Sequence, residues 1–292
     1  MRPLVQSTRF MIPSPTTRRF SSRRLRAAVH SPRLRGLRDA MARRPVGSSW
    51  SMGRTELLDR AVDAHGGLRR WEEITRFRVA ASITGTIWAM KGKPGLLDNV
   101  VFEGETRHQR LKITPFPKAD RFATWEPGRV TIRAGDGAVV DERRDPASSF
   151  AGHTRQTPWD LFQVVCFASE ANWNYLVAPF IFTRADFVAA EVQPWHEAGE
   201  VWRSLRVTYP DGFLAHSRQQ TYYFDDAALL RRLDYTVDIL GSGPAVHYPS
   251  EYREFDGIMV PTRRRVYVRN PDGSPARESV SIAIDITDVA FS

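Results

Sequence analysis

Beyond residue 52 the chain carries six histidines, His65, His108, His153, His196, His216 and His247. No two stand at the i, i+4 or His-x-His spacing that brings two imidazoles to one ion, so no metal site and no cofactor is predicted. His216-Ser217 with Asp211 or Asp225 supplies the residue types of an acyl-transfer triad. Neighbouring strand positions point to opposite faces, however, and no Gly-x-Ser-x-Gly turn presents the serine. The one cysteine, Cys166, excludes an internal disulfide and falls among apolar neighbours, where burial raises a thiol pKa and leaves the group inert. No catalytic residue is assigned.

The run Arg263-Arg264-Arg265 carries a different signal. On a strand Arg263 and Arg265 share one face, and Arg264 shares the other with Val260, Thr262, Val266 and Val268. Arg264 therefore points to the apolar side, where a guanidinium needs a carboxylate or a ligand anion. Asp285 and Glu254 are the candidate partners on neighbouring strands. His216, Arg218, Gln220 and Tyr222 form a second polar line on one face, suited to a pocket mouth or a polar head group.

These side chains are positioned by a meander. Residues 201–209, 213–224, 229–238, 247–255, 258–269 and 278–291 read as strands. Turns such as Pro210-Asp211-Gly212, Asp256-Gly257 and Asn270-Pro271-Asp272-Gly273 separate them, and Asp-Gly allows positive φ, which makes successive strands hairpin neighbours. Upstream, residues 56–65 alternate at helical spacing and end at Gly66-Gly67. Residues 76–90, 99–113, 121–126, 129–134 and 138–141 continue the antiparallel pattern. Thr157-Pro158-Trp159-Asp160 opens a helix, with Thr as cap and Pro at its first position. The 24 residues that follow are apolar nearly all round, so this helix is buried on several sides or lines an apolar cavity. The predicted class is α+β: ten or eleven strands in one large curved antiparallel sheet, an open half-barrel with helices packed in its concave face.

Residues 1–52 hold twelve arginines and one aspartate, more than the whole net charge of +9, which leaves −2 on residues 53–292. The basic pI thus says nothing about the domain's partner and argues against nucleic acid. A disordered basic extension is expected over 1–52, with translation beginning at Met52 as the favoured reading and an arginine- and serine-rich transit peptide as the other. A secretory signal lacks its apolar core here, and no stretch approaches the roughly 18 to 20 apolar residues of a membrane helix. A cytoplasmic protein is expected, with one domain over 53–292.

The blocks Ala64-His65-Gly66-Gly67 with Trp71, Trp173-Asn174-Tyr175-Leu176 with Pro179-Phe180, and Tyr252-Arg253-Glu254-Phe255-Asp256-Gly257 followed by Val260-Pro261-Thr262-Arg263-Arg264-Arg265 resemble a family of uncharacterised soil-bacterial proteins over residues 55 to 291. More distantly, helix, curved sheet, plugging helices and a closing Asp-Gly-x-x-Val-Pro-Thr strand pair are similar to LolA- and LolB-type lipoprotein carriers. That similarity implies an unclosed half-barrel with helices in its concavity and a cavity for acyl chains. Such carriers work outside the cytoplasm behind a cleavable signal or lipid anchor, and neither is read in this sequence, a departure that bears on transport and not on apolar binding.

The function read from the sequence is non-enzymatic binding of a hydrophobic small molecule or lipid. Trp159, Phe162, Trp173, Tyr175, Phe180 and Phe182 are expected to form the wall, with His216 and Arg264 near its polar end. An enzyme acting on an apolar substrate, with His216 or Asp285 as base, and a partner-binding structural domain are the alternatives.

Overall fold

In the computed structural model of the chain, residues 54 to 292 are described; the basic segment 1–52 lies outside them. The first helix, α1 (Glu56–Ala64), is capped by Thr55, whose side chain accepts from the Leu58 N–H, and buries Leu57, Leu58, Ala61 and Val62. Gly66 then takes a positive φ where an added Cβ would strike the Gly257 carbonyl. The Met259 N–H donates to the His65 carbonyl at 3.0 Å. Only glycine lets the end of α1 lie this close to the hairpin it seals.

Short α2 (Leu68–Glu73) leads into β1 (Arg76–Thr84), whose burial alternates strictly. The strand predicted over 76–90 stops here: Gly85 turns at positive φ and α3 (Thr86–Met90) follows. The stretch 99–113 likewise divides, into β2 (Val100–Glu105) and β3 (Leu111–Thr114). Next come β4 (Arg121–Glu126), β5 (Arg129–Ala134) and β6 (Val139–Arg144). The central helix α4 (Leu161–Val177) starts three residues later than Thr157-Pro158 suggested. Asp160 is its cap, accepting from Gln163 while Gln163 reaches back, a reciprocal pair that satisfies two orphan N–H groups at once.

The second half is β7 (Val188–Glu197), β8 (Glu200–Thr208), β9 (Gln219–Phe224), β10 (Leu230–Val237), β11 (Gly243–Phe255), β12 (Ile258–Val268) and β13 (Ile282–Phe291). All thirteen strands join one antiparallel sheet in the order β6-β5-β4-β3-β2-β1-β13-β12-β11-β10-β9-β8-β7. The ends of this order do not meet, so the curved sheet stays open, as the α+β half-barrel reading requires. The amino-terminal six strands and the carboxy-terminal meander are stitched through β1 and β13, with Ile83 opposite Ile284. Helix α4 lies against the inner face and one continuous apolar core surrounds it. Among the described residues thirteen strands exceed the expected ten or eleven because β7 went unread and the stretch 99–113 is two strands.

Candidate ligand-binding site

Period two on the strands and the roll of α4 bring a set of polar side chains into the apolar interior. On β11, Ala245 and His247 face inward; on β12, Arg264 and Val266 do, with His247 directly opposite Val266. Arg264 is therefore the diagonal neighbour of His247 on one face. Tyr235 of β10 pairs with Ala245 and faces the same space. Tyr175 of α4 drops between them: its hydroxyl meets the Tyr235 hydroxyl at 2.8 Å, its ring stands 4.5 Å from the His247 ring, and the Arg264 guanidinium lies 5.3 Å from it. Arg264 donates to the Tyr175 carbonyl at 3.0 Å, in the last turn of the helix, where the dipole favours a cation.

His216 completes the cluster from the segment before β9. Its Nδ1 lies 3.1 Å from the Glu170 carboxylate of α4, and its ring stacks on Phe167 at 4.9 Å. The segment is held in place because the Leu214 carbonyl accepts from both Gln109 and Asn174, and the His216 carbonyl accepts from the Asp238 N–H.

Several buried polar atoms here have no hydrogen-bonding partner among the described residues: both ring nitrogens of His247, Nε2 of His216 and one terminal nitrogen of Arg264. His247 is 0% and Arg264 4% exposed. Burial, then the Arg264 charge, holds the His247 imidazole well below its usual pKa and neutral. Burial also lowers Arg264, and it raises Tyr175 to about 12. Arg264 stays protonated all the same, because guanidinium does not deprotonate in proteins. Among the described residues no carboxylate pairs with it.

Three cavities adjoin the cluster. The largest, of about 90 Å³, is walled by Ile87 and Met90 of α3, Phe167, Val237, Leu240, Ala245, Val266 and Ile282, with Tyr235 also lining it and Lys91 and Arg155 at its rim. Lys91 is satisfied by the carbonyls of Thr154, Arg155 and Thr157, which fixes the loop entering α4. Two smaller spaces, of about 20 and 10 Å³, flank Arg264, one toward β1–β3 and one toward α1. Each has room for about one water molecule.

The eight side chains singled out in the sequence are all inside, and they divide into separate neighbourhoods. Trp159 packs against Trp88, Phe150 and Phe167. Phe162 lies under the Arg143 guanidinium. Trp173 donates to the Glu105 carbonyl at 2.7 Å. Phe180 stacks on Trp71 at 4.3 Å, and Phe182 sits against Phe187, Tyr209 and Tyr222. Only Tyr175, His216 and Arg264 come together. Tyr175 and Arg264 line both small spaces and Phe180 one, while none of the eight lines the 90 Å³ cavity.

The polar line is also revised. His216 precedes the strand, Gln220 and Tyr222 are buried, and Arg218 points to solvent beside Asp211. Asp285 pairs with Arg265 on the outer face, so it is neither partner to Arg264 nor a base in the interior. Glu170, Tyr235 and His247 were missed. Period two on the apolar strands would have found the last two, and a lone carboxylate inside an apolar helix marks the first.

No family model matches the chain, and no curated protein does. Solved structures do. Their shape is LolA-like. A LolA superfamily protein from Nitrosomonas europaea is 11% identical over 81% of this chain and 92% of its own, with a TM-score of 0.45. A DUF1329 family protein from Desulfovibrio piger is 14% identical over 81% and 92%, with a TM-score of 0.46. An outer membrane lipoprotein-sorting protein domain from Vibrio parahaemolyticus is 7% identical over 81% and 91%, with a TM-score of 0.47. The similarity to LolA-type proteins drawn from the sequence is met by these matches. The expected cytoplasmic location is not: it is overturned by the match to an outer membrane lipoprotein-sorting protein domain. It had rested on the composition of residues 1–52, outside the described residues. The likeness is one of shape, and the functional argument rests on the site.

Proposed function

We propose that the protein binds a hydrophobic small molecule or a lipid in the concavity of its half-barrel. The observation that carries this reading is the apolar cavity between α3, α4 and the inner faces of β10–β12, which has room for several water molecules yet offers them few polar partners. Its volume of about 90 Å³ is below the roughly 300 Å³ at which small-molecule pockets begin, so an occupant enlarges it by moving α4 or its entry loop. Of the six aromatic side chains expected in the wall, Trp159, Phe162, Trp173, Tyr175, Phe180 and Phe182, none lines the cavity as it stands, and Tyr175, bonded to Tyr235 of the lining, is the one expected to join it when α4 moves.

Titration of the full chain with 1-N-phenylnaphthylamine, whose fluorescence rises in apolar surroundings, tests the reading. Saturable uptake is expected, weakened about tenfold or more by Ala245→Phe, which fills the cavity. Uptake that is absent, or indifferent to Ala245→Phe in a folded variant, contradicts it.

A second reading is favoured by one contact. The Glu170 carboxylate orients the His216 ring and leaves Nε2 unpartnered, the geometry of a general base. In that case an apolar substrate in the cavity reaches His216 only past Phe167, which lines the cavity and stacks on the His216 ring. Turnover that survives His216→Phe would remove this reading.

A further inference from the structure

Among the described residues Arg264 is a buried cation without an anion. Around it lie Tyr175 beneath, Leu176, Phe77, Val79 and Ile286 on one side and Tyr252 and Val260 on the other, with Asn172 and His65 the uncharged polar side chains lining the same two spaces. It makes one hydrogen bond, to the Tyr175 carbonyl, and one terminal nitrogen is left over. Elsewhere in this protein a buried arginine is fully met: Arg232, 0% exposed, is bonded by Asp234, Glu197 and the Gly273 carbonyl. Burying a guanidinium without such partners costs several kcal/mol. The chain keeps this charge between two spaces, facing a histidine whose two nitrogens are also unmet.

We infer that Arg264 and His247 form an internal anion site for the carboxylate of an apolar acid whose hydrocarbon part lies in the cavity above. The inference rests on the binding reading and specifies the ligand's class. Val266 lines the cavity and Arg264 is the next inward-facing residue on β12, two residues deeper, or about 7 Å along the strand. A molecule entering at Val268 with its head foremost passes Val266 and reaches the guanidinium. Tyr235 lines the cavity and bonds Tyr175, so parting this hydroxyl pair joins the apolar space to the polar one. A carboxylate matches the planar fork of arginine, and its second oxygen can take an N–H from His247 in whichever tautomer faces it. An uncharged head leaves the cation as it is.

The experiment compares dodecanoate, its methyl ester and dodecan-1-ol as competitors of 1-N-phenylnaphthylamine on the full chain. The acid is expected to compete at least about tenfold more strongly than the ester or the alcohol. Arg264→Met is expected to abolish that preference while leaving ester binding in place, and Arg265→Met, on the outer face beside Asp285, to preserve it. If acid and ester compete equally in the wild type, the anion site is overturned and apolar binding stands. If neither the probe nor any of the three binds, the underlying reading fails as well. Should Arg264→Met not fold, His247→Phe and the wild-type ratio still decide: a ratio near one, or a preference carried undiminished into His247→Phe, overturns the site as drawn.

Discussion

Arg232 and Arg264 are equally hidden and are expected to respond oppositely to removal. Arg232 lies on the outer face, bidentate to Asp234 at 2.7 and 2.9 Å, bonded to Glu197 at 2.7 Å and covered by Trp195. Arg232→Met strands two carboxylates and is expected to cost about 3 to 5 kcal/mol in urea unfolding. Arg264→Met strands only one carbonyl and removes an unpaired charge, so an unchanged or raised midpoint is expected. A loss equal to that of Arg232→Met would contradict the unpaired state. His65 supplies a pH signature. Buried, with Nδ1 on the Ala61 carbonyl at 2.7 Å, it is held down to about 4 from an ordinary 6.5, chiefly by burial. The unfolded chain therefore binds the extra proton, and stability present above pH 6.5 falls as pH drops toward 4, by about 3 kcal/mol. His247 acts in the same direction. His65→Asn is expected to flatten part of that slope in urea titrations at pH 7 and 4.5. The inward turn of Arg264 was legible from the alternation of Val260, Thr262, Val266 and Val268. Its partner was not, because a strand pattern gives the face and not what crosses from α4.

Helix α4 carries most of what positions the interior. Its start is fixed by Asp160, which also pairs with Arg143 of β6. Asp160→Ala is expected to lower stability by about 1 kcal/mol through the lost cap, seen in thermal unfolding of the full chain. Cys166, on the same helix, is buried and its thiol is pushed up to about 12 by desolvation first and by Glu170 second. It is expected to resist iodoacetamide in the native protein and to react once urea unfolds it; rapid native labelling would mean that α4 opens readily. The helix was legible as a long apolar run. Thr157-Pro158 mimicked its beginning because the same cap chemistry recurs three residues on, at Asp160 with Gln163. β7 left no trace in the sequence, since an edge strand wetted on both faces has no reason to alternate. Gly85 was readable as a break only through its close approach to Ser281, a contact distant in sequence.

At the scale of the molecule, thirteen strands form a sheet too wide to lie flat and too open to close, and α4 fills the hollow that results. Such a half-barrel has an interior that can be enlarged by moving one helix, without breaking a strand pair. The antiparallel order was legible because Asp-Gly turns punctuate the second half. The six wall residues were chosen by aromatic density, which marks where a core is thick. Cavities occur where it is thin, beside Ala245 and Met90, and small side chains leave no such mark. The account comes down to whether the hollow has an occupant. Native mass spectrometry of the full chain, purified from the cells that make it, measures this directly. The account predicts an adduct that is released by organic solvent, identified as an apolar or lipid molecule, and absent from Ala245→Phe. A mass equal to the bare chain in both proteins, with no shift in unfolding temperature on adding dodecanoate or its ester, would contradict it.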